Sequence, residues 1–236
     1  GRLMEKGKDA LGVTEKELEK NLYENSINGK IKLEQCGGEL CVFPMTYYYC
    51  ELSVTKKILT LAFANYKDIN FDVDREIEKF EKINCIEFAP SQKEAIEGAV
   101  KNGVEIITGG PGTGKTTIIN CIIQLFEKAN YKVLMGAPTG RAAKRMSEAT
   151  EREAKTIHRL LDMGVESDEK AMFFSRSEES PLQCDVVIVD EAHLLDKEML
   201  EEVRFLLNFK MDSQSPMALI LVGQNELWER LQLQAY

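Results

Sequence analysis

The sequence predicts a three-layer α/β domain with a parallel sheet over residues 85–236, preceded by a winged-helix-like α+β module at residues 1–52 and a helical connector at residues 53–84. Two observations predict the sheet: four short segments are apolar throughout, and helical patterns separate them. Strands that are apolar on both faces are typical of parallel sheets covered by helices. The predicted strands are 104–108 (VEIIT), 132–137 (KVLMGA), 185–190 (DVVIVD) and 217–223 (MALILVG).

The first 52 residues carry the pattern of a small helix-and-hairpin module. Residues 14–28 are predicted to form a helix, with Thr14 as its capping residue, apolar residues at helical spacing (Leu18, Leu22 and Tyr23) and a stop at Gly29. Alternating residues on either side of Gly37 and Gly38 then predict a hairpin. The module can serve nucleic-acid or domain contact, or it can serve packing alone, and the absence of a basic surface favours packing.

Two further segments are expected to lie outside the sheet. Residues 53–83 are charged and look helical, with a break near residues 64–73, so they are expected to connect the two domains. Residues 164–183 are polar and are expected to form a surface loop.

Composition and charge limit the classes of protein to which the chain can belong. Its 236 residues are 44% hydrophobic, which is enough to build one full-sized core and a smaller one. The net charge of −9 argues against bulk electrostatic coating of nucleic acid but is compatible with a local basic groove. No apolar run approaches the roughly 18 residues of a membrane span, and nothing at the start resembles a signal peptide. We therefore expect a cytoplasmic protein with no membrane partner, whose six cysteines are reduced.

The strongest chemical signal is GGPGTGKTT, in which Gly109, Gly114, Lys115 and Thr116 fit the phosphate-binding pattern GxxxxGK(S/T). Glycines let successive backbone N–H groups face the phosphates at the start of the following helix. Lys115 is expected to reach the β- and γ-phosphates of a nucleotide, and the Thr116 hydroxyl is expected to bind Mg²⁺. The predicted nucleotide-binding residues of this loop are Gly110, Pro111, Gly112, Thr113, Gly114, Lys115, Thr116 and Thr117.

A second motif, DVVIVDEAH, ends an apolar strand with two carboxylates. Asp190 is expected to hold Mg²⁺ through its water shell, and Glu191 to orient and deprotonate the attacking water. An acidic pair in this position can also cap a helix. Beside a phosphate-binding loop, however, the two motifs together predict nucleotide hydrolysis.

Two side-chain amides are further candidates for nucleotide contacts. Gln92, in FAPSQKEAI ahead of the loop, can pair with the donor and acceptor edges of adenine, which indicates ATP as the nucleotide. Gln224 ends the last apolar strand, which we expect between the strand before the phosphate-binding loop and the strand that ends at Asp190. Its amide is expected to sense the γ-phosphate. The alternatives are a solvated surface position for Gln92 and a capping role for Gln224.

The segment APTGRAAKRM predicts a contact with single-stranded nucleic acid. Thr139, Gly140 and Arg141 open a helix directly after a strand, where the helix N-terminus and a guanidinium can bind a phosphate. His158, in the downstream segment AKTIHRLL, is a further contact candidate. The alternatives are a solvated basic helix face and a structural histidine.

The motifs resemble, in order and spacing, those of the first motor domain of RecD-like DNA helicases of superfamily 1; they are Gln92, GGPGTGKTT, APTGRAAKRM, TIHRLL and PLQCDVVIVDEA. The region before them resembles the region that precedes the motor in the RecD/TraA-type members. The resemblance implies a RecA-like P-loop ATPase domain that uses ATP and Mg²⁺ to move 5′→3′ along single-stranded DNA, in DNA repair or recombination. It places Thr139 and Arg141 in a DNA-contacting motif, and it places Asp190 and Glu191 in the motif for Mg²⁺ and hydrolysis.

After about residue 191 the sequence departs from this pattern. The segments DEAHLL, VRFLLNF and LVGQNEL resemble instead AAA+ ATPases of the ExeA and transposition-associated type. Two alternatives to a helicase therefore stay open: an AAA+ ATPase that acts as an oligomeric regulator, and a nucleotide-dependent binding module without turnover.

The helicase resemblance also implies a second motor domain. Superfamily 1 helicases hydrolyse ATP between two RecA-like domains, and the second supplies an arginine to the γ-phosphate. This sequence carries one such domain, so we expect the second to follow Tyr236 in the natural protein. By itself, the chain is expected to be a monomer that binds ATP and Mg²⁺, hydrolyses ATP slowly and does not unwind duplexes.

Overall fold

A computed structural model describes residues 2–36, 38–64, 69–161, 163–165, 172–174, 182–195 and 218–227 of the chain. The chain divides into two compact units between Ser53 and Val54. None of the described helices combines the length and apolarity needed to cross a lipid bilayer.

The smaller unit consists of two helices, a hairpin and the start of a third helix. Its elements are α1 (Arg2–Leu11), α2 (Glu15–Ile27), β1 (Ile31–Cys36), β2 (Glu39–Pro44) and the first turns of α3 (Met45–Ala62). The helix and the hairpin that the sequence predicts in this module are both confirmed, whereas α1 was not predicted.

Local hydrogen bonds explain where α2 and the hairpin form. The Glu17 N–H donates to Thr14 Oγ1 at 3.4 Å, and the Thr14 N–H donates to Glu17 Oε2 at 2.8 Å, so the two residues form a reciprocal capping box. The hairpin strands pair antiparallel from Ile31 opposite Pro44 to Cys36 opposite Glu39. Helix capping and strand pairing therefore define these elements of the module.

The larger unit alternates helices and strands. Its elements are α4 (Val73–Asn84), α5 (Pro90–Lys101), β3 (Val104–Thr108), α6 (Lys115–Lys128), β4 (Val133–Ala137), α7 (Gly140–Thr150), β5 (Ala154–Thr156), α8 (Ile157–Leu160), β6 (Met163–Val165), β7 (Met172–Phe174), β8 (Val186–Val189), a short 3-10 helix (Ala192–Leu194) and β9 (Ala218–Gly223).

Within the described residues, five strands form a parallel sheet in the order β3-β9-β8-β4-β5. Every residue of β8 and β9 is buried, as expected for central strands that are covered on both faces. The predicted parallel α/β fold is therefore confirmed, and its four predicted strands are found within one residue of their predicted ends. β9 lies between β3 and β8, as predicted from the sequence.

The core of the larger unit is centred on α6. Seven residues of this helix are buried, and they pack with the sheet and with α4 and α5. Ile77 and Phe80 of α4 belong to this core. Lys128 Nζ of α6 forms an ion pair with Glu76 Oε2 of α4 at 2.6 Å. Part of the segment that we expected to be a connector is thus a packed helix of the larger unit, because its apolar residues recur at helical spacing.

The segment expected to be a surface loop contains regular structure. β6 and β7 pair antiparallel, with Met163 opposite Phe174 and Val165 opposite Met172. The loop prediction for residues 164–183 is therefore wrong at residues 164–165 and 172–174, since the polar residues that dominated its composition separate two short, apolar, β-prone segments. The remaining residues of the predicted loop up to 181 lie outside the described ranges.

Candidate active site

Except for Gln92, which lies in α5 ahead of β3, the predicted functional residues follow the carboxyl ends of the five parallel strands. The phosphate-binding loop follows β3, Gln224 follows β9, Asp190 follows β8, Thr139 follows β4, and His158 follows β5. Because the strands are parallel, all five segments emerge at the same edge of the sheet. Ligands of α/β proteins bind at this edge.

The phosphate-binding loop has the backbone conformation that its glycines allow. Gly112 and Gly114 have φ values of +77° and +79°, in the left-handed region. Gly114 is also the N-cap of α6, and it has no side chain to compete for the first N–H groups of that helix. These N–H groups therefore face the loop as donors for an anion.

Lys115 folds over the loop that precedes it. Its Nζ donates hydrogen bonds to the carbonyl oxygens of Gly109 at 2.6 Å and Gly110 at 2.7 Å. The Thr113 hydroxyl closes the loop further by donating to the Gly110 oxygen at 2.9 Å. The ammonium group thus lies within the curve of the loop, where it can interact with phosphate oxygens.

Gln92 connects the start of α5 to the phosphate-binding loop. Its Nε2 donates to the Thr113 carbonyl oxygen at 2.9 Å, and its Oε1 accepts the Ala89 N–H at 2.8 Å. The amide therefore has a role in holding the loop that the sequence pattern did not indicate. Each end of the amide has capacity for one further hydrogen bond, so the adenine contact stays a prediction.

Gly114→Ala is expected to destabilise the loop more than Gly112→Ala does. Both substitutions force a left-handed residue, at a cost of about 1 kcal/mol. A Cβ on Gly114 would in addition lie 2.8 Å from Gln92 Nε2, whereas nothing lies within 4 Å of a Cβ on Gly112. Thermal unfolding measures the difference, which should vanish in a Gln92→Ala background. Equal destabilisation in the unaltered background would contradict this account.

Asp190 and Glu191 are held at the end of β8 by backbone hydrogen bonds. The Asp190 N–H donates to the Gly136 carbonyl oxygen at 3.0 Å, and the Glu191 N–H donates to Asp190 Oδ1 at 2.8 Å. Glu191 has φ of +52°, which is uncommon for a non-glycine residue and ends the strand abruptly. The turn thereby places both residues directly after β8, at the carboxyl edge of the sheet.

The residues around Asp190 fit a bound magnesium ion. Burial raises the pKa of the Asp190 carboxyl, and the charge of Lys115 acts in the opposite direction as a smaller effect. A nearby cation would compensate this desolvated carboxylate. The described residues contain no group of three or more His, Cys, Asp or Glu side chains that could enclose a metal. An ion at Asp190 and the Thr116 hydroxyl would therefore take its other oxygens from phosphates and water.

Asp190→Asn is expected to raise the thermal unfolding midpoint at pH 7. Because the folded pKa lies above the ordinary value of 3.8, the ionised carboxylate lowers the stability of the folded state above the folded pKa. Below the ordinary pKa both states are protonated and this effect disappears, so the gain should shrink between pH 7 and pH 3.5. Glu148→Gln, at an exposed position of α7, is the control for loss of a surface charge. A lower midpoint at pH 7 would contradict the expectation.

Gln224 and His193 connect β9 to the turn after β8. The Gln224 N–H donates to His193 Nδ1 at 3.2 Å, across 31 residues of sequence. His193 was not predicted as a site residue, and only the pairing of β8 with β9 brings it to Gln224. The contact fixes the Gln224 backbone, while the role of its amide at the γ-phosphate stays a prediction.

The predicted nucleic-acid residues lie beside this centre. Thr139 is the N-cap of α7, and its Oγ1 accepts the Ala142 N–H at 3.2 Å. Gly140 and Arg141, in the first turn of the same helix, are exposed. His158, in α8, is half-buried. Because β4 and β5 are neighbours, α7 and α8 begin at adjacent positions on the carboxyl edge.

Comparison with known proteins identifies the family. The AAA domain family model matches residues 92–226 of the chain, a range that includes Gln92, the phosphate-binding loop, the acidic pair and Gln224. The match continues past residue 191, through the segment that resembled a different class of AAA+ ATPases. The family assignment therefore covers the whole candidate site.

Three curated relatives are RecD proteins. The RecBCD enzyme subunit RecD of Haemophilus influenzae is 31% identical over 173 residues, which cover 63% of this chain and 25% of that protein. The ATP-dependent RecD2 DNA helicase of Deinococcus radiodurans is 40% identical over 90 residues, which cover 38% of this chain and 12% of that protein. The RecBCD enzyme subunit RecD of Buchnera aphidicola subsp. Schizaphis graminum is 28% identical over 221 residues, which cover 81% of this chain and 36% of that protein.

The chain thus spans about a third or less of the length of each of these relatives. The resemblance to RecD-like superfamily 1 helicases that the motifs indicate is confirmed by these matches. The chain belongs to the AAA domain family, and it is a RecD-like member of superfamily 1.

Proposed function

We propose that the chain is the ATP-binding and ATP-hydrolysing motor domain of a RecD-like DNA helicase that moves 5′→3′ along single-stranded DNA. The observation that carries the proposal is the shared edge of the sheet. There the phosphate-binding loop follows β3, the acidic pair follows β8, and the basic start of α7 follows β4, which is the neighbour of β8. A nucleotide and a DNA strand bound at this edge would lie next to each other.

The nucleotide is held by the loop and by α6. Backbone N–H groups of residues 112–117 surround the phosphates, and Lys115 exchanges its bonds to Gly109 and Gly110 for the β- and γ-phosphate oxygens. Gln92 uses the free capacity of its amide for adenine. Bound Mg²⁺ supplies charge neutralisation to the phosphates, and Thr116 and Asp190 hold it.

Hydrolysis depends on the residues at the ends of β8 and β9. Glu191 orients the attacking water and accepts its proton. Gln224 responds to the γ-phosphate from the end of β9. Since β9 lies between β3 and β8, Gln224 follows the strand next to both the loop and the acidic pair.

Single-stranded DNA is the proposed track. Thr139, Gly140 and Arg141 contact a strand phosphate at the start of α7, and His158 contacts the strand from α8. The Thr139 hydroxyl accepts one capping hydrogen bond and keeps its own proton for a phosphate oxygen.

The motor acts with other parts of a larger protein. We propose residues 1–52 as an accessory module, residues 53–84 as the segment that joins it to the motor and packs its helix α4 on the motor core, and residues 85–236 as the motor. A second RecA-like domain, supplied outside residues 1–236, would contribute the arginine that accelerates hydrolysis. We expect a monomer that acts on DNA in the cytoplasm.

ATP turnover with and without single-stranded oligothymidylate tests the proposal. The proposed motor should remain monomeric by light scattering, and its turnover should rise with the oligonucleotide. Rings that assemble on ATP addition, with turnover indifferent to DNA, would favour an oligomeric AAA+ regulator instead. Absence of ATP turnover under all conditions would leave a binding module and contradict the motor.

A further inference from the structure

Arg145 of α7 forms an ion pair with Glu191. Its Nη1 donates a hydrogen bond to Glu191 Oε1 at 3.4 Å, across 46 residues of sequence. The Arg145 side chain is 58% exposed and that of Glu191 is 28% exposed. The guanidinium therefore reaches the acidic pair from the rim of the site and stays accessible to solvent.

The same helix begins at the proposed DNA contact. Arg141 and Arg145 are four residues apart, which places them on one face of α7 in successive turns. Both are exposed, whereas Ala142 and Met146 of the same helix are buried. A strand phosphate at Arg141 would thus lie one helical turn from the guanidinium that contacts Glu191.

The chemistry of the pair allows the two partners to exchange. A guanidinium binds carboxylates and phosphates with the same planar set of donors. A single 3.4 Å contact between partly exposed groups is a weak interaction. A phosphate of a DNA strand can therefore replace the Glu191 carboxylate as the partner of Arg145.

We propose that Arg145 couples DNA binding to ATP hydrolysis. Without DNA, its guanidinium pairs with the Glu191 carboxylate. When a phosphate of single-stranded DNA binds the guanidinium instead, Glu191 is released and can orient the attacking water. The inference rests on the proposed function, because it requires Glu191 as the base and α7 as the DNA contact. Arg145 is a positioning residue, since it acts through Glu191.

DNA affinity measured without nucleotide tests the exchange independently of turnover. In the full chain, Glu191→Gln should tighten binding of fluorescein-labelled oligothymidylate by about two- to fivefold, the range that corresponds to an exposed ion pair. The gain should vanish in an Arg145→Ala background, because no guanidinium remains to be released. Glu148→Gln removes a carboxylate that pairs with Lys144, so any gain that it produces should persist in that background.

Turnover tests the coupling itself. Arg145→Ala should raise the rate of ATP hydrolysis without DNA, so that the ratio of DNA-saturated to DNA-free turnover falls close to one. Arg145→Lys should retain part of the stimulation by DNA, with a ratio between one and the wild-type value. Lys144→Ala, an exposed neighbour that pairs with Glu148, should keep the wild-type ratio at saturating DNA.

Two results would overturn the inference but leave the proposed function intact. One is a Glu191→Gln gain that persists without Arg145, and the other is an unchanged stimulation ratio in Arg145→Ala. If the wild-type chain neither hydrolyses ATP nor binds the oligonucleotide, the proposed function fails and the inference fails with it.

Discussion

Glu191→Gln is expected to lower ATP turnover by about 10²- to 10⁴-fold, the range that general-base catalysis contributes. The amide has nearly the shape of the carboxylate, so it can keep the left-handed turn after β8 while losing the ability to accept a proton from water. Nucleotide binding should stay close to wild type, because the phosphate-binding loop is unaltered. Phosphate release at saturating ATP measures turnover, and a fluorescent ATP analogue measures affinity.

The matched control is Glu148→Gln, which neutralises an exposed carboxylate on α7. It should leave both ATP turnover and ATP affinity unchanged. A Glu191→Gln variant that hydrolyses ATP at the wild-type rate would exclude this residue as the base. It would mean that the acidic pair serves as a helix cap and that another group activates the water.

Lys115→Ala is expected to reduce turnover by about 10²- to 10³-fold, the loss typical of removing one preorganised charged donor. Unlike Glu191→Gln, it should also weaken nucleotide binding, because the ammonium contacts phosphates before and during the reaction. The same ammonium donates to the carbonyl oxygens of Gly109 and Gly110, so the variant also loses two hydrogen bonds that stabilise the loop. The same two assays separate the effects on affinity and on turnover.

Lys101→Ala is the control for loss of a lysine. Lys101 is an exposed residue of α5 that pairs with Glu97, away from the phosphate-binding loop. It should change neither nucleotide affinity nor turnover. Wild-type nucleotide affinity in Lys115→Ala would mean that the loop does not use this side chain for phosphates, which would remove the main support for the site.

Much of the larger unit could be predicted because its central strands are buried on both faces. β8 and β9 are apolar at every position, and that pattern is unambiguous when loop and helix signals separate the strands. β5 was missed because it has three residues, AKT, at the edge of the sheet, where no apolar run is needed. α1 was missed although Gly12 provides a stop signal after it, because half of its residues are charged and Gly7 interrupts its short helical pattern.

The candidate site was predictable where one continuous segment carries its chemistry. The phosphate-binding loop is contiguous, so spacing and residue type identify it. The contacts of Arg145 with Glu191, and of His193 with Gln224, join segments that are 46 and 31 residues apart. No local pattern specifies such contacts, since they depend on the order of strands and on the direction of side chains. The tether from Gln92 to Thr113 was missed for the same reason.

The central claim is that ATP binds at the carboxyl edge of this sheet. A crystal structure of the chain with Mg²⁺ and a nonhydrolysable ATP analogue tests it most directly. The account predicts triphosphate density in the loop of residues 109–117, with Lys115 Nζ on the β- and γ-phosphate oxygens and Mg²⁺ next to Thr116 and Asp190. A nucleotide bound elsewhere, or Lys115 still bonded to Gly109 and Gly110 with an analogue bound, would contradict it.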